Sequence, residues 1–395
     1  MAPLNLPTFR REVYNEYFRI LEYWQRYSID TDKGGFYGRV DGNNQVVADS
    51  PKAIVINSRI LWTFSTAHIH FPNQEYLKIA RRAYDYIKTY FVDKNYGGVY
   101  WSVKANGSPL ETKKQMYGNA FAIYGLSEFY RATKQKDALN LAIEIYKLIE
   151  KYSFDPIHKG YIEAFNQDWS QTYDYILCRG ESRKSMNTHL HLLEAYTNLY
   201  RVWKEDSLKK QFRGMLEAVL DKVVDNKTYR MNLFFKENWE ATSESISYGH
   251  DIEASWLILE AAEVLHDKAI LSKAKEICIN MAKATCDGLD ADGGMNYEFE
   301  PSKNHLNTER SWWVIAEATV GFYNAYQMTG KSHYLDKSIK SWEYIKKHLL
   351  DLQNGEWYGG VKADGTVTGR DKINFWKGPY HNSRMCLEIW KRIGK

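Results

Sequence analysis

Cysteine, proline and long apolar runs are all scarce in this chain of 395 residues. The four thiols, Cys178, Cys278, Cys286 and Cys386, form no CxxC pair, and a chain of this length needs no disulfide staples. No apolar run approaches the ~18 residues of a membrane-spanning helix, which excludes membrane partners of that kind. The opening MAPLNLPTFRREVYNEYF lacks the apolar stretch of a secretory signal. Thiols and leader together point to a cytoplasmic location. Basic blocks are missing too: the net charge is only +4 and is spread along the chain, so nucleic acid has little to hold. No GxGxxG, Walker A or GxSxG stands in a supporting context, which leaves nucleotide cradles and serine-hydrolase chemistry unsupported.

Aromatic residues, by contrast, make up 15% of the chain, with 30 Tyr, 13 Trp and 16 Phe. Part of that belongs in a core; the rest suits flat, hydroxyl-studded ligands such as sugars. Glycine-aromatic segments also recur every ~65 residues, the mark of a repeat architecture. KGGFYGRVDGN lies near Gly34, NYGGVYWSVKANG near Gly97, HKGYIEAFNQDW near Gly160, DGGMNYEF near Gly293 and GEWYGGVKADG near Gly359. A copy due near Thr228 falls on TYRMNLFFKENWE, which keeps the alternation but lacks the glycine pair.

Each unit reads as an amphipathic helix (EYLKIARRAYDYIKTYF, 75–91), a short hairpin with Asn-Gly or Asp-Gly turn chemistry, and a second helix of small and aromatic residues (MYGNAFAIYGLSEFYRA, 116–132). The second kind carries few charges on any face and is expected to be buried all round. Six such pairs predict an all-α, closed (α/α)6 barrel with short β-hairpins at one end, in preference to an open solenoid of twelve helices. No Pro/Gly/Ser-rich linker interrupts it, so residues 1–395 are read as a single catalytic domain.

Reactive residues gather at one phase of this repeat. Arg59 lies in INSRILWTFSTA, Tyr117 in KQMYGNAF, Asn187 and His191 in SMNTHLHLLEAY, and His250 and Glu253 in SYGHDIEASW. Trp312, Trp313 and Glu317 follow in the fifth unit, and His381 and Arg384 in GPYHNSRMCLEIW. In a six-fold ring the N-terminal ends of the inner helices converge on the axis, so these positions become one pocket, where helix N-termini also favour negative charge. Three histidines occupy equivalent positions of units three, four and six. Of Trp312 and Trp313, one is expected to face the pocket and the other to pack outward.

The pairs His191-x-x-Glu194 and His250-x-x-Glu253 share a helical face, which raises the question of a metal. The order is the reverse of the di-iron Glu-x-x-His motif, HExxH is absent and no thiol is near. The pairs are therefore read as a carboxylate fixing each imidazole's tautomer, with no metal. Histidines on opposite walls suit removing a proton from one face of a carbon and returning one to the other, with an Arg or further His on the enolate oxygen. Glu253 and Glu317 keep a glycosidase alive as a rival, since that chemistry needs two carboxylates.

At these residues the chain resembles the N-acylglucosamine 2-epimerase superfamily, and within it the cellobiose 2-epimerases, through NTHLHLLEAYTNLYRVW, YGHDIEASWL, RSWWVIAEA and FWKGPYHNSRMCLEIW. The resemblance spans all six units. It implies an (α/α)6 barrel that epimerises C2 of the reducing-end glucose of β-1,4-linked disaccharides, cellobiose to glucosyl-mannose and lactose to epilactose, with no cofactor; a cis-enediolate, nucleophilic at C1 as well as C2, adds the expectation of minor aldose–ketose isomerisation. It further implies that His250 and His381 are the acid–base pair, that His191 assists ring opening and holds the enolate oxygen, and that Arg59 steadies developing charge. Tyr117, Asn187, Glu253, Trp313 and Trp376 match sugar-binding or supporting positions. The expected partner is a small disaccharide, and the expected state a monomer or weak homodimer. A mannose 2-epimerase or aldose–ketose isomerase, an (α/α)6 glycoside hydrolase and a non-catalytic sugar-binding toroid are the alternatives.

Overall fold

The computed structural model describes residues 5–178 and 180–394; Met1–Leu4, Arg179 and Lys395, and with them both ends of the 1–395 segment, lie outside. Six outer helices alternate with six inner ones. The outer set is α1 (Leu6–Tyr27), α3 (Gln74–Tyr86), α5 (Lys136–Tyr152), α7 (Asp206–Ala218), α9 (Lys268–Thr285) and α11 (Ser332–Tyr344). The inner set is α2 (Ile54–His70), α4 (Met116–Thr133), α6 (Met186–Val202), α8 (Tyr248–Leu265), α10 (Trp312–Thr329) and α12 (Tyr380–Ile393). Each inner helix packs on the next, and α12 returns to α2 and to α1, so the ring closes. The expected (α/α)6 toroid is the observed one.

The two helix types differ as their sequences require. In α2 every residue from Ile54 to Ala67 is buried, whereas α3 buries only Tyr76, Ile79, Ala80, Ala83, Tyr84 and Tyr86, one stripe at helical spacing. At about 1.5–3 kcal/mol for each large apolar side chain taken from water, the inner ring carries much of the driving force for folding. Three outer helices, α3, α7 and α11, end in a π turn (Ile87–Phe91, Val219–Val223 and Ile345–Leu349), which the helical spacing did not reveal.

The hairpins all lie at the end where inner helices begin. A two-residue strand leads into each of the first five inner helices and pairs with the hairpin of the following unit: Lys52 with Val103, Lys114 with Phe165, Lys184 with Phe235, Ile246 with Phe299 and Arg310 with Val361. An isolated bridge between Val40 and Ile373 completes this rim. The first N–H of an inner helix is taken by the neighbouring hairpin, as in Ile54 to the Trp101 carbonyl (3.2 Å) and Met116 to that of Glu163 (3.0 Å).

Two buried stitches hold hairpin to helix. The aspartate opening the turn accepts backbone N–H groups and the ammonium of the lead-in lysine: Asp30 with Lys52 (2.8 Å), Asp93 with Lys114 (2.7 Å), Asp155 with Lys184 (2.8 Å) and Asp351 with Lys372 (2.8 Å). Although burial opposes it, the lysine and the turn N–H groups hold Asp155 down to about 2. The fourth residue of the inner helix supplies the second stitch. Asn119 bonds the Gln115 carbonyl (2.9 Å) and the Val99 N–H (3.1 Å), and His189 bonds the Ser185 carbonyl (2.7 Å) and the Tyr161 N–H (3.0 Å). These contacts explain the glycines. Gly98 and Gly160 have φ of +68° and +77°, and a Cβ at Gly160 would lie 2.8 Å from His189 and 2.4 Å from Trp239.

The fourth unit departs for a physical reason. Arg230 stands where the second glycine is due and Ile246 where the lysine is due; the guanidinium bonds Asp251, the fourth residue of α8, at 3.2 Å, tying hairpin to helix by another route. In the sixth unit the turn is Gly355–Glu356, so Gly359, the position read from the repeat, lies four residues beyond it, in the approach to the next strand.

Candidate functional site

A cavity of about 800 Å³ opens among the N-terminal ends of the inner helices. Arg59, Asn187, His191, His250, Glu253, Trp313, Trp376 and His381 all line it. Tyr117 does not: it is buried behind the wall, where its hydroxyl accepts from Arg59 Nη2 (3.1 Å) and its ring packs edge-on to His191. The fold thus brings together residues drawn from 59 to 381.

Helix geometry corrects the sequence-based phase. The three histidines are not equivalent. His191 is the sixth residue of α6, His250 the third of α8 and His381 the second of α12. Arg59, His191, Glu253 and Glu317 share the sixth position of their helices and form a tier one turn below the mouth. Trp312 and Trp313 both line the cavity, against the expectation that one faces outward. They are the first two residues of α10, about 100° apart at the very start of the helix, where both directions border the opening.

The carboxylate pairing is also redistributed. His191 Nδ1 does contact Glu194, at 3.0 Å. His250 does not contact Glu253; its Nδ1 lies 2.7 Å from Ser247 Oγ. Glu317 takes the other partnership, accepting from His381 Nδ1 at 2.7 Å, while Glu253 lies 4.0 Å away. An Nδ1–H directed at a carboxylate leaves Nε2 of His381 as the basic nitrogen.

Arg384 is the hub beneath the cavity floor. Its Nη1 donates to Glu194 (2.6 Å) and to the Tyr380 hydroxyl, which in turn donates to Glu194; its Nη2 donates to Glu253 (2.6 Å) and Glu317 (2.7 Å). Ligand atoms of Glu253, Glu317 and His381 lie within 4.8 Å of one another, a spacing a metal could use. Arg384 Nη2 already provides the cation for both carboxylates, so the donor set is satisfied by a guanidinium.

Electrostatics follow from this packing. Burial works the other way, yet Arg384 and His191 hold Glu194 down to about 2. Burial and the neighbouring Glu317 push Glu253 up to about 8 against the pull of Arg384, while Arg384 and His381 keep Glu317 ionised. Burial is the main cause that carries His250 and His381 down to about 3, and it lowers His191 as well. The site at neutral pH therefore holds neutral imidazoles, one anionic partner at His381 and one neutral carboxylic acid.

Aromatic rings frame it. Trp313 lies between the two histidines, with centroids 4.7 Å from His250 and 5.7 Å from His381. Trp376 is 40% exposed and stands at the mouth, against Trp101 and Tyr117. Arg59 is held from both sides, donating to the Trp376 carbonyl (2.9 Å) with its guanidinium over Phe121 and Tyr380. Among the described residues, Asn187 Oδ1 and Trp312 Nε1 are buried without a hydrogen-bond partner, in side chains that line this cavity. Reading from the sequence missed the rim residues Arg39, Tyr297, Glu309, Thr368 and Asp371. They sit in hairpins, whose lengths vary between units, so repeat phase carries no signal for them. A second cavity of about 640 Å³, sharing Asn187, His250 and Tyr297, extends the cleft along Ile176, Leu177 and Phe234.

Among proteins of known activity, a cellobiose 2-epimerase of Bacteroides fragilis is 44% identical over 374 residues, covering 94% of this chain and 95% of that protein. The solved cellobiose 2-epimerase of Bacillus thermoamylovorans B4167 superposes with a TM-score of 0.93 at 39% identity, over 98% of this chain and all of that one. A glycoside hydrolase family 76 α-mannanase of Bacteroides thetaiotaomicron, 14% identical with a TM-score of 0.64 over 97% of this chain and 96% of that one, shares the fold alone. The family described as N-acylglucosamine 2-epimerase matches residues 34–382. The chain belongs to the N-acylglucosamine 2-epimerase family and is an epimerase, an enzyme of the isomerase class.

Proposed function

We propose that the protein reversibly epimerises C2 of the reducing-end glucose of β-1,4-linked disaccharides, cellobiose to glucosyl-mannose and lactose to epilactose, through a cis-enediolate. The observation that carries the reading is a single cavity faced by two neutral histidines, the half-buried His250 and the buried His381, the latter locked as a base by Glu317. After ring opening, one histidine takes the C2 proton and becomes imidazolium. The electron pair moves into the C1–C2 bond and onto O1. The other histidine, neutral in the free site, takes up a solvent proton as the substrate binds and returns it to the opposite face of C2. The pair thus shares one proton, and each turnover exchanges it. The same burial that lowers both pKa values makes the imidazolium a strong acid toward carbon. Arg59 and His191, in the tier below, supply donors to the enediolate oxygen and to ring opening.

Trp313 sits where it can hold the reacting sugar against both histidines, and Trp376 where it can stack on the second sugar at the mouth. Since the enediolate is nucleophilic at C1 as well as C2, slow isomerisation to the ketose accompanies epimerisation. A glycosidase is disfavoured by geometry: Glu253 and Glu317 share one guanidinium nitrogen and cannot flank a glycosidic bond, which needs ~5 Å or more between the carboxyl groups and free access from both sides. Incubation with cellobiose, lactose, glucose and mannose, followed by chromatography, tests the reading. Intact epimerised disaccharides support it. Released monosaccharide would mean a hydrolase, turnover confined to monosaccharides would mean a mannose-type enzyme, and ketose dominating from the first time points would mean an isomerase.

A further inference from the structure

Trp256 is the ninth residue of α8 and does not border the cavity among the helix N-termini. It borders a different cavity of about 570 Å³ at the opposite end of the ring, walled by Arg201, Glu260, Lys275, Asn324 and Arg392. Some of the polar groups there already bond one another, Arg201 with Glu260 (2.8 Å) and Arg392 with Asn324 (2.8 Å). What distinguishes Trp256 is the other side of its ring. The buried indole N–H donates to Glu317 Oε2 at 3.0 Å, and the Arg384 guanidinium lies over the ring, 4.7 Å from its centroid.

Glu317 is thereby held at both ends. Oε1 receives His381 Nδ1–H and Arg384 Nη2, and among the described residues Oε2 receives only the indole. The terminal torsion of a glutamate is broad and nearly two-fold, so a carboxylate fixed at one oxygen can still swing. A third donor on the second oxygen removes that freedom. We propose that Trp256 is a positioning residue for the C2 proton transfer: it clamps Glu317, and through Glu317 it sets the tautomer and aim of His381. The proposal rests on the epimerase reading above. It adds a group lying behind the catalytic floor, which neither touches substrate nor could be found from helix phase.

The test is a double-mutant cycle with Glu317→Gln. Trp256→Phe keeps most of the ring and deletes the N–H. It should lower kcat for cellobiose about tenfold, in line with the loss of a hydrogen bond to a charged group, and leave KM within twofold. In the Glu317→Gln background the same change should cost less than twofold, because the amide NH2 that replaces Oε2 already faces the indole donor unfavourably. Trp342→Phe serves as the control: it deletes an equivalent indole bond, to Glu12 (2.8 Å), outside the site and should leave kcat unchanged. Equal losses in both backgrounds, an effect on KM alone, or no loss in an active protein would overturn the proposal. A wild-type protein that does not epimerise would instead fail the functional reading itself. Should Trp256→Phe not fold, Trp256→Met enters the same cycle. A measurement without any change at Trp256 stands behind both: in 15N-indole spectra one tryptophan N–H must move on Glu317→Gln, and an unmoved set refutes the clamp.

Discussion

Exchanging Glu317 for glutamine, and separately Glu253 for glutamine, applies nearly the same change to two carboxyls bound to one guanidinium nitrogen, yet the account predicts opposite outcomes. Glu317 is ionised and accepts from three donors: His381 Nδ1, Arg384 Nη2 and Trp256 Nε1. A glutamine oxygen can replace only one carboxylate oxygen. If it faces His381 and Arg384, its NH2 meets the indole N–H head-on; if reversed, it meets the guanidinium. The first arrangement is the less costly and leaves a buried donor unpaired, for about 1–3 kcal/mol of stability. In catalysis the neutral amide no longer stabilises the imidazolium. Replacing a charged hydrogen bond by a neutral one loses about 1.5 kcal/mol, roughly tenfold in kcat, and any reversal of the tautomer carries the loss toward 10²–10⁴. Burial and the neighbouring Glu317 push the Glu253 carboxyl up while Glu317 is held down, so of the two it is Glu253 that keeps a proton, and Glu253→Gln replaces one neutral group by another. Its kcat should stay within a few-fold of wild type. The sign of its pH effect follows: a folded-state value above the unfolded 4.5 destabilises progressively as pH rises from 4.5 through 8, and Glu253→Gln should remove that slope. The assay is kcat and KM for cellobiose from pH 5 to 9, with urea denaturation on the same samples. Equal kcat losses in the two variants, or a Glu317→Gln protein within twofold of wild type, would refute the assigned charges.

Three further outcomes are expected. His250→Ala and His381→Ala should each fold and lose about 10²–10⁴ in kcat; a variant keeping more than a third of wild-type turnover would end that residue's assignment. Burial lowers His189 to about 4, so the unfolded state binds the extra proton: its stability contribution, about 3 kcal/mol, is present above pH 6.5 and disappears as pH falls toward 4. Urea midpoints should show that slope flattened in His189→Gln. Lys114→Met strands a buried Asp93 and should cost about 3 kcal/mol or more by urea denaturation, whereas Lys78→Met, at an exposed pair with Glu75, should change stability by less than ~0.5 kcal/mol. Equal costs would remove the case for the buried stitch.

The ring was legible because its two helix types differ in composition: INSRILWTFSTA has no exposed face to offer, and EYLKIARRAYDYIKTYF has one. The glycine turns marked the repeat, and where the fourth lost its glycine the alternation in TYRMNLFFKENWE still held its place. What the sequence hid lies in contacts between units. Lys114 and Asp93 are 21 residues apart, with no motif linking them until the hairpin folds back. His189 and His191 look alike in HLH, yet one stitches a hairpin and the other faces the cavity, since two residues on a helix point about 200° apart. The i, i+3 rule found His191–Glu194 but failed for His250–Glu253, because His250 pairs with Ser247 and Glu253 with Arg384 from another inner helix. Glu317 sits 64 residues from the histidine it orients, a pairing set by tertiary structure alone.

The central claim is that a proton leaves C2 and another returns there while the glycosidic bond stays intact. Cellobiose incubated with the wild-type protein in D₂O, sampled at low conversion and analysed by NMR and mass spectrometry, tests it directly. The account predicts one deuterium at C2 of the reducing-end mannose in each epimer formed whose catalytic proton has exchanged with solvent, and no deuterium at any carbon of the second sugar. Epimer formed under full solvent exchange with C2 still protonated, or label confined to C3 or beyond, would contradict it.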